Sequence, residues 1–307
     1  MINSVHLKIA DVVIRMESRF PLDRLSRSAE RERRRAGFSG FFCRAQKPDI
    51  RIKVEVAGEL PPLPPAKEVF LVRHFEDGAE NWRLFKRAEG YLYLCRLEGR
   101  EQLAEISGDY SRVKIFVLAK KRKGAVWDPA EVVYDFLQVL LFHYLADGRK
   151  GIVAHSCGIR DSGGKGLLFA GKSGAGKTTI ARFFDAAGSV ILNDDRIGIR
   201  KTSGGYTLYS TPWHGEFADY LAEAAEPAKL SGIFFVSHSA KNKAEKIPPG
   251  EAFPLLYQAF FPVYWDRRLL SNQADFIAGL VSSTACRRLR FAKNKKVVDF
   301  VRLLRLT

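Results

Sequence analysis

Cysteine is scarce in this chain, with four in 307 residues. Cys43, Cys95, Cys157 and Cys286 stand far apart and form no C-x-x-C pair. That spacing excludes a disulfide framework and a cysteine zinc site, and it predicts a reducing, cytoplasmic setting. His214 and His238 lack metal-ligand spacing to other His, Cys or acidic residues. Long apolar runs are also missing. The longest, Val132 to Ala146, contains Asp135, Gln138 and His143 and is too short to cross a bilayer. The opening Met1-Ile2-Asn3-Ser4-Val5-His6 has no basic start and no long apolar core, so no signal peptide is expected. No internal repeat is found. Acids are under-represented, 34 against 50 Lys plus Arg, a formal net charge of +16. The excess is spread over both halves. Its basic runs, Arg31 to Arg35, Lys120 to Lys123 and Lys293 to Lys296, carry no interleaved aromatics. They read as solvated loops, and nucleic acid is not an expected partner.

What the chain does have is a complete phosphate-binding loop. Gly171-Lys172-Ser173-Gly174-Ala175-Gly176-Lys177-Thr178 matches G-x-x-x-x-G-K-[ST]. Gly166 to Ala170 before it reads as a short buried strand, and Thr178 to Phe184 after it as a helix with an apolar face. Small residues at Gly171, Ser173, Gly174, Ala175 and Gly176 let successive backbone N–H groups curl around a phosphate. The helix N-terminus, at Thr178 and Thr179, adds a favourable dipole. Lys177 supplies a charge for the β- and γ-phosphates, and the Thr178 hydroxyl suits Mg²⁺. The motif predicts binding of a nucleoside triphosphate, ATP with Mg²⁺.

Residues 1–127 read as a β-rich domain for recognising a substrate or partner. Asp49 to Val56 alternates apolar and charged residues, as a half-buried strand does. Ser4 to Ile14, Val69 to Phe75, Tyr91 to Leu97 and Val113 to Leu118 are further strand candidates, and Glu59 to Pro65 is an extended connection. Residues 128–307 read as an α/β domain. Its opening helix has Asp128 as N-cap, Pro129 at the first position and Gly148 as C-cap. This helix is apolar on most sides and is expected to be buried. Strands follow at Ile152 to Ala154 and Val190 to Asn193. A hairpin turns at Ser203-Gly204-Gly205, and Ile233 to Val236 is a core strand. Helices are expected over Glu251–Phe261, Trp265–Ser282 and Lys295–Leu304, with a strand at Leu289 to Phe291.

Nucleotide chemistry needs a carboxylate near the metal. The core strand at Ile233 to Val236 ends in Ser237-His238, with no acid. The acids follow a different strand, in Asn193-Asp194-Asp195. Asn-Asp-Asp is also good turn chemistry, but beside a phosphate loop two carboxylates can divide two tasks. One holds Mg²⁺ and the other takes a proton from an attacking hydroxyl. Arg196 is a candidate for a phosphate oxygen, as are Arg267 and Arg268. Pro212-Trp213-His214-Gly215 reads either as part of the site wall or as a rigid turn around a packed Trp.

Together, His155, the loop at Gly171 to Thr178 and the pair Asp194-Asp195 resemble the catalytic domain of HPr kinase/phosphorylase, itself related to phosphoenolpyruvate carboxykinase. The resemblance covers roughly residues 151–215. It implies a P-loop kinase fold and transfer of the ATP γ-phosphate to a serine hydroxyl. Asp194 or Asp195 would be the base and the other, Asp195 by preference, would support Mg²⁺. His155, following its apolar strand, would lie close to the γ-phosphate, and a homo-oligomer is implied. Two family features are absent. Thr179 stands where the family has an acid, and Ser210 to Glu216 replaces its Arg-Gly-Leu-Gly-type signature. The expectation is a divergent relative that phosphorylates another protein or a peptide. The alternatives are a small-molecule kinase of the same fold and an ATP-binding regulator without turnover.

Overall fold

The computed structural model describes residues 2–19, 22, 38–73, 80–97, 100–118, 129–215 and 226–306. It is an α/β protein with two mixed sheets and, among the described residues, five α-helices. The described chain divides into two compact units, one up to Tyr144 and one from Leu145.

The first unit is built on one sheet. Its strands are β1 (Asn3–Ile9), β2 (Val12–Ser18), β3 (Ile50–Ala57), β4 (Lys67–Arg73), β5 (Glu80–Arg87), β6 (Gly90–Leu97), β7 (Arg100–Ser107) and β8 (Arg112–Leu118). They run in the order β1-β2-β3-β8-β7-β6-β5-β4. β3 lies parallel to both β2 and β8, and every other neighbouring pair is antiparallel. Ile50, Ile52 and Val54 of β3 are buried while Arg51 and Lys53 face outward, as the alternation requires. The single strand expected over Ser4 to Ile14 is a hairpin. Ala10 and Asp11 both take left-handed φ, 48° and 59°, and Ile9 faces Val12 across a two-residue turn. No glycine or asparagine marks that turn. β5 and β7 were not expected either, because charged and polar residues interrupt their apolar positions. The proline-rich stretch from residue 59 to 65 forms no regular element, but Leu60 packs on Leu92, Leu94 and Leu103.

Helix α1 (Pro129–Ala146) is buried along most of its described side chains, with Tyr134, Asp135 and Gln138 partly exposed, as a pattern apolar on most sides demands. Up to Tyr144 it belongs to the first unit, so the contact boundary lies one helix beyond the expected boundary at residue 128. The reason is aromatic packing. Phe136 meets Tyr93 edge-on at 5.3 Å between centroids, and His143 lies 5.2 Å from both Tyr91 and Tyr110. The His143 Nδ1 donates to the Val139 carbonyl at 2.8 Å, which satisfies a fully buried imidazole. Gly148, with left-handed φ, closes the helix. Asp128, the expected N-cap, lies outside the described residues.

The second unit carries β9 (Gly151–Arg160), β10 (Gly166–Ala170), β11 (Val190–Asn193), β12 (Arg196–Thr202), β13 (Gly205–Tyr209), β14 (Ala228–His238), β15 (Lys243–Lys246) and β16 (Ala285–Phe291). Two long strands organise it. β9 pairs with β12 from Gly151 to His155 and with β10 from Ser156 to Arg160. β14 runs parallel to both β10 and β16. Helices α2 (Lys177–Asp185) and α5 (Lys296–Arg302) bury Ile180, Phe184, Val297 and Val301 with Phe169 and Phe234 of the sheet. On the other face, α3 (Pro249–Tyr257) and α4 (Arg267–Ser283) pack with Ala170, Ile233 and Phe235. β12 and β13 form the expected hairpin, with Thr202 facing Gly205. α4 starts at an Asp266 N-cap whose carboxylate accepts from the Leu269 N–H at 3.1 Å.

Candidate functional site

β10 is buried at all five residues, which anchors the loop that follows. The loop turns through left-handed φ at Gly174 (75°) and Gly176 (101°) and passes directly into α2 at Lys177. At Gly176 glycine is required twice over. Its φ disfavours any side chain, and a Cβ would stand 2.6 Å from both the His238 ring and Phe291. No acid occupies the first turn of α2, so the positive helix end is left for an anion. Lys177 is largely buried, and its amino group donates to the Gly171 carbonyl at 2.8 Å and the Lys172 carbonyl at 3.4 Å. Burial pulls its pKa down, against the raising effect of Asp195, Cys157 and Asp194. Those influences place both expected acids within electrostatic reach of the loop lysine. Thr178 and Thr179 follow in the first helical turn, where the motif requires them.

The acid pair is held by Asn193, the last residue of β11. Its side chain is fully buried. The amide nitrogen donates to the carbonyls of Thr211 at 3.1 Å and Trp213 at 2.8 Å. The amide oxygen accepts from the N–H groups of Asp195 at 2.8 Å and Arg196 at 2.6 Å. One side chain therefore shapes the Asp194–Asp195 turn and ties it to the segment from 211 to 215. That segment supports the acids. Trp213 is buried, and the Gly215 N–H donates to Asp194 Oδ1 at 2.8 Å. A Cβ on Gly215 would stand 2.8 Å from Asp194 Oδ2, so the backbone approaches this carboxylate as closely as only glycine allows.

Asp195 is the ion-paired member. Its Oδ1 accepts from His155 Nε2 at 2.9 Å, and its Oδ2 accepts from Arg196 Nη1. Burial pushes its carboxyl up, but the His155 hydrogen bond and the charges of Arg196, His155 and Lys177 outweigh this and hold it below the usual carboxylate range. His155 lies inside β9 and does not follow a strand as expected. It is the last β9 residue paired with β12; beyond it β11 takes the place of β12 on that edge, and β10 lines the opposite edge. Its backbone N–H donates to the Ala259 carbonyl at 2.8 Å, and its ring stacks on Phe261 at 6.0 Å. The Arg196 guanidinium lies over the same Phe261 ring, 5.4 Å from its centroid. His155, Asp195, Arg196 and Phe261 thus form one interlocked group.

Among the expected site residues, the structure brings together Lys177, Asp194, Asp195 and His155. Arg268 turns instead to Asp147, at 2.7 Å. His238 backs the loop from behind, its ring 4.9 Å from Phe291. Of the two readings of Pro212 to Gly215, the structure supports both: Trp213 is packed, and the Gly215 N–H reaches Asp194. Asn193 and Phe261 were not given a role by sequence reasoning. For Asn193 a signal was present, a polar residue ending an apolar strand directly before two acids. Phe261 carries no such mark, because its role depends on long-range contacts.

Among the described residues, no three His, Cys, Asp or Glu side chains gather into a ready-made metal site. Mg²⁺ is usually bound by one or two carboxylates with substrate phosphates and water. Asp195, held anionic near the loop, and the Thr178 hydroxyl fit that donor set. No protein-family model matches this chain, and no curated protein matches its sequence. No helix among the described residues is long and apolar enough to cross a membrane.

Proposed function

We propose that this protein is an ATP-dependent kinase of the HPr kinase-like type, transferring the γ-phosphate to a hydroxyl, a serine of a protein or peptide. One observation carries the reading. A phosphate loop in its strand–loop–helix setting lies within electrostatic reach of two carboxylates, Asp194 buried and Asp195 partly buried, the latter held anionic by a histidine and an arginine. Binding alone needs the loop. A shaped acid pair beside it is what hydroxyl activation needs.

Lys177 is bonded to its own loop carbonyls and is placed to exchange them for phosphate oxygens. The free N–H groups at the start of α2 take further phosphate oxygens. Mg²⁺, when bound, neutralises charge developing on the transferred group. Asp194 and Asp195 divide the tasks of holding the metal and taking the acceptor's proton. His155 orients Asp195. Arg196 and Phe261 hold His155 and Asp195 in register, so the acids are fixed before substrate arrives.

The test is transfer of labelled γ-phosphate from ATP and Mg²⁺ into a lysate of the native host. Wild type is compared with Lys177→Ala, Asp194→Asn and Asp195→Asn. A labelled band with wild type that is absent with all three variants is the expected result. ATP bound but never consumed would overturn the reading.

A further inference from the structure

Beside the first half of the loop lies a cleft of about 390 Å³. Gly171, Lys172 and Ser173 form one side of it, and His155 forms part of its wall. Arg288 and Arg290, two residues apart on β16, point into it from the same face of the sheet. Phe235, Leu255 and Ala259 supply apolar surface. Among the described residues, no acidic side chain lines the cleft. Both arginines have an acidic partner outside the lining. Arg288 Nη2 donates to Glu251 at 3.0 Å, and Arg290 lies 3.9 Å from Glu245. These pairs are roughly half exposed, so they hold the guanidiniums in place at little energetic gain and leave their outer N–H groups available.

We infer that this cleft is the acceptor site, and that the acceptor carries a carboxylate close to its reactive hydroxyl, read by Arg288 and Arg290 with Lys172. The inference rests on the kinase reading above. His155 is hydrogen-bonded to Asp195, so the wall of the cleft leads to the acid pair that takes the acceptor's proton. In the transfer the hydroxyl oxygen bonds to the γ-phosphorus, and the bond from that phosphorus to ADP breaks. The hydroxyl proton passes to Asp194 or Asp195. Paired guanidiniums favour the planar, bidentate geometry of a carboxylate, and a cleft without competing acids focuses that preference. The apolar wall accepts the rest of a short side chain or backbone stretch. The volume lies within the range of small-ligand sites.

Serine-centred peptides with Asp, Ala or Lys fixed at each flanking position test this, alongside free L-serine as a small hydroxy acid. ATP binding and the KM for ATP are measured in parallel for wild type, for Arg288→Gln with Arg290→Gln, and for Arg288→Glu with Arg290→Glu. The expected result is kcat/KM about tenfold higher for acid-flanked peptides than for Ala-flanked ones. The Gln pair should erase that preference through KM for the acceptor while KM for ATP stays constant. The Glu pair should favour Lys-flanked peptides. Preference for free L-serine over every peptide would assign the carboxylate to a small acid. Equal use of all flanks would overturn the inference and leave the kinase intact. A rise in KM for ATP in the Gln pair would also overturn it, assigning the cleft to the nucleotide. Transfer to no acceptor, with ATP bound, would overturn the inference and the kinase reading together.

Discussion

Replacing Asn193 with Ala tests whether one buried amide shapes the acid pair. The substitution removes a donor shared by the Thr211 and Trp213 carbonyls and an acceptor shared by the N–H groups of Asp195 and Arg196. The Thr211 hydroxyl lies 3.2 Å from the Trp213 carbonyl, but its single proton is shared with the nearer Arg196 carbonyl at 2.5 Å, so Trp213 keeps at most a partial bond. Three backbone groups then lose their protein partner. Each unsatisfied buried group costs about 1–3 kcal/mol, and water entering the small polar space recovers part of that. The expected loss is about 3–4 kcal/mol, a large share of a domain's stability. The assay is urea denaturation followed by far-UV circular dichroism, with phosphotransfer measured on the folded fraction. Transfer should fall about a hundredfold, because misplaced reacting groups are costly. ATP affinity should change little, since the Asn193 side chain bonds to residues 195, 196, 211 and 213 and to none of the loop. Asn193→Asp keeps the acceptor, loses both amide donors and buries a third carboxylate beside the pair, so it should be at least as damaging. A loss under about 1 kcal/mol with full activity would refute the reasoning.

Further expectations concern the rest of the frame. Gly176→Ala should weaken nucleotide binding at least about tenfold, through about 1–3 kcal/mol of backbone strain and the displacement of His238 and Phe291. A fluorescent ATP analogue measures it. Asp161→Ala should destabilise the second unit by about 2–4 kcal/mol. The Asp161 side chain accepts from Arg302 Nε at 2.9 Å and from the Ser162 N–H at 2.8 Å, and its loss leaves Arg302 partly buried and uncompensated. The shift in urea midpoint reads this. Asp195 has its pKa lowered in the folded state, so its contribution to stability is present above the ordinary carboxylate value of about 4 and is lost as pH falls below that. The stability gap between wild type and Asp195→Asn, followed by thermal melting, should close with falling pH in that window. A gap that widened there would contradict the sign.

Much of the second unit was legible because its signals are local. The phosphate loop needs small residues at fixed offsets, the β12–β13 hairpin declares itself by Gly204-Gly205, and Ile233 to Val236 of β14 is an unbroken apolar run. What was not legible depends on distant partners. Nothing near Ala10-Asp11 announces a two-residue turn, and the β1–β2 register becomes visible only once the strands pair. β5 and β7 carry charges on their outer faces and borrow their apolar neighbours from β6 and β8. His155 was found as a residue but misplaced. The strand was read as ending at Ala154, whereas β9 continues to Arg160, with β11 succeeding β12 on one edge and β10 covering the other. At the site the acids and the Pro212 to Gly215 wall were legible, whereas the support from Asn193 and Phe261 was not, because it depends on residues far away in the chain.

The most direct test of the central claim is the fate of the γ-phosphate, followed by phosphorus-31 NMR with ATP, Mg²⁺ and a serine-peptide library. The account predicts that wild type converts the γ signal of ATP into a phosphomonoester signal, and that Lys177→Ala, Asp194→Asn and Asp195→Asn do not. An unchanged γ signal in the presence of saturating protein, or conversion by wild type and the two aspartate variants alike, would contradict it.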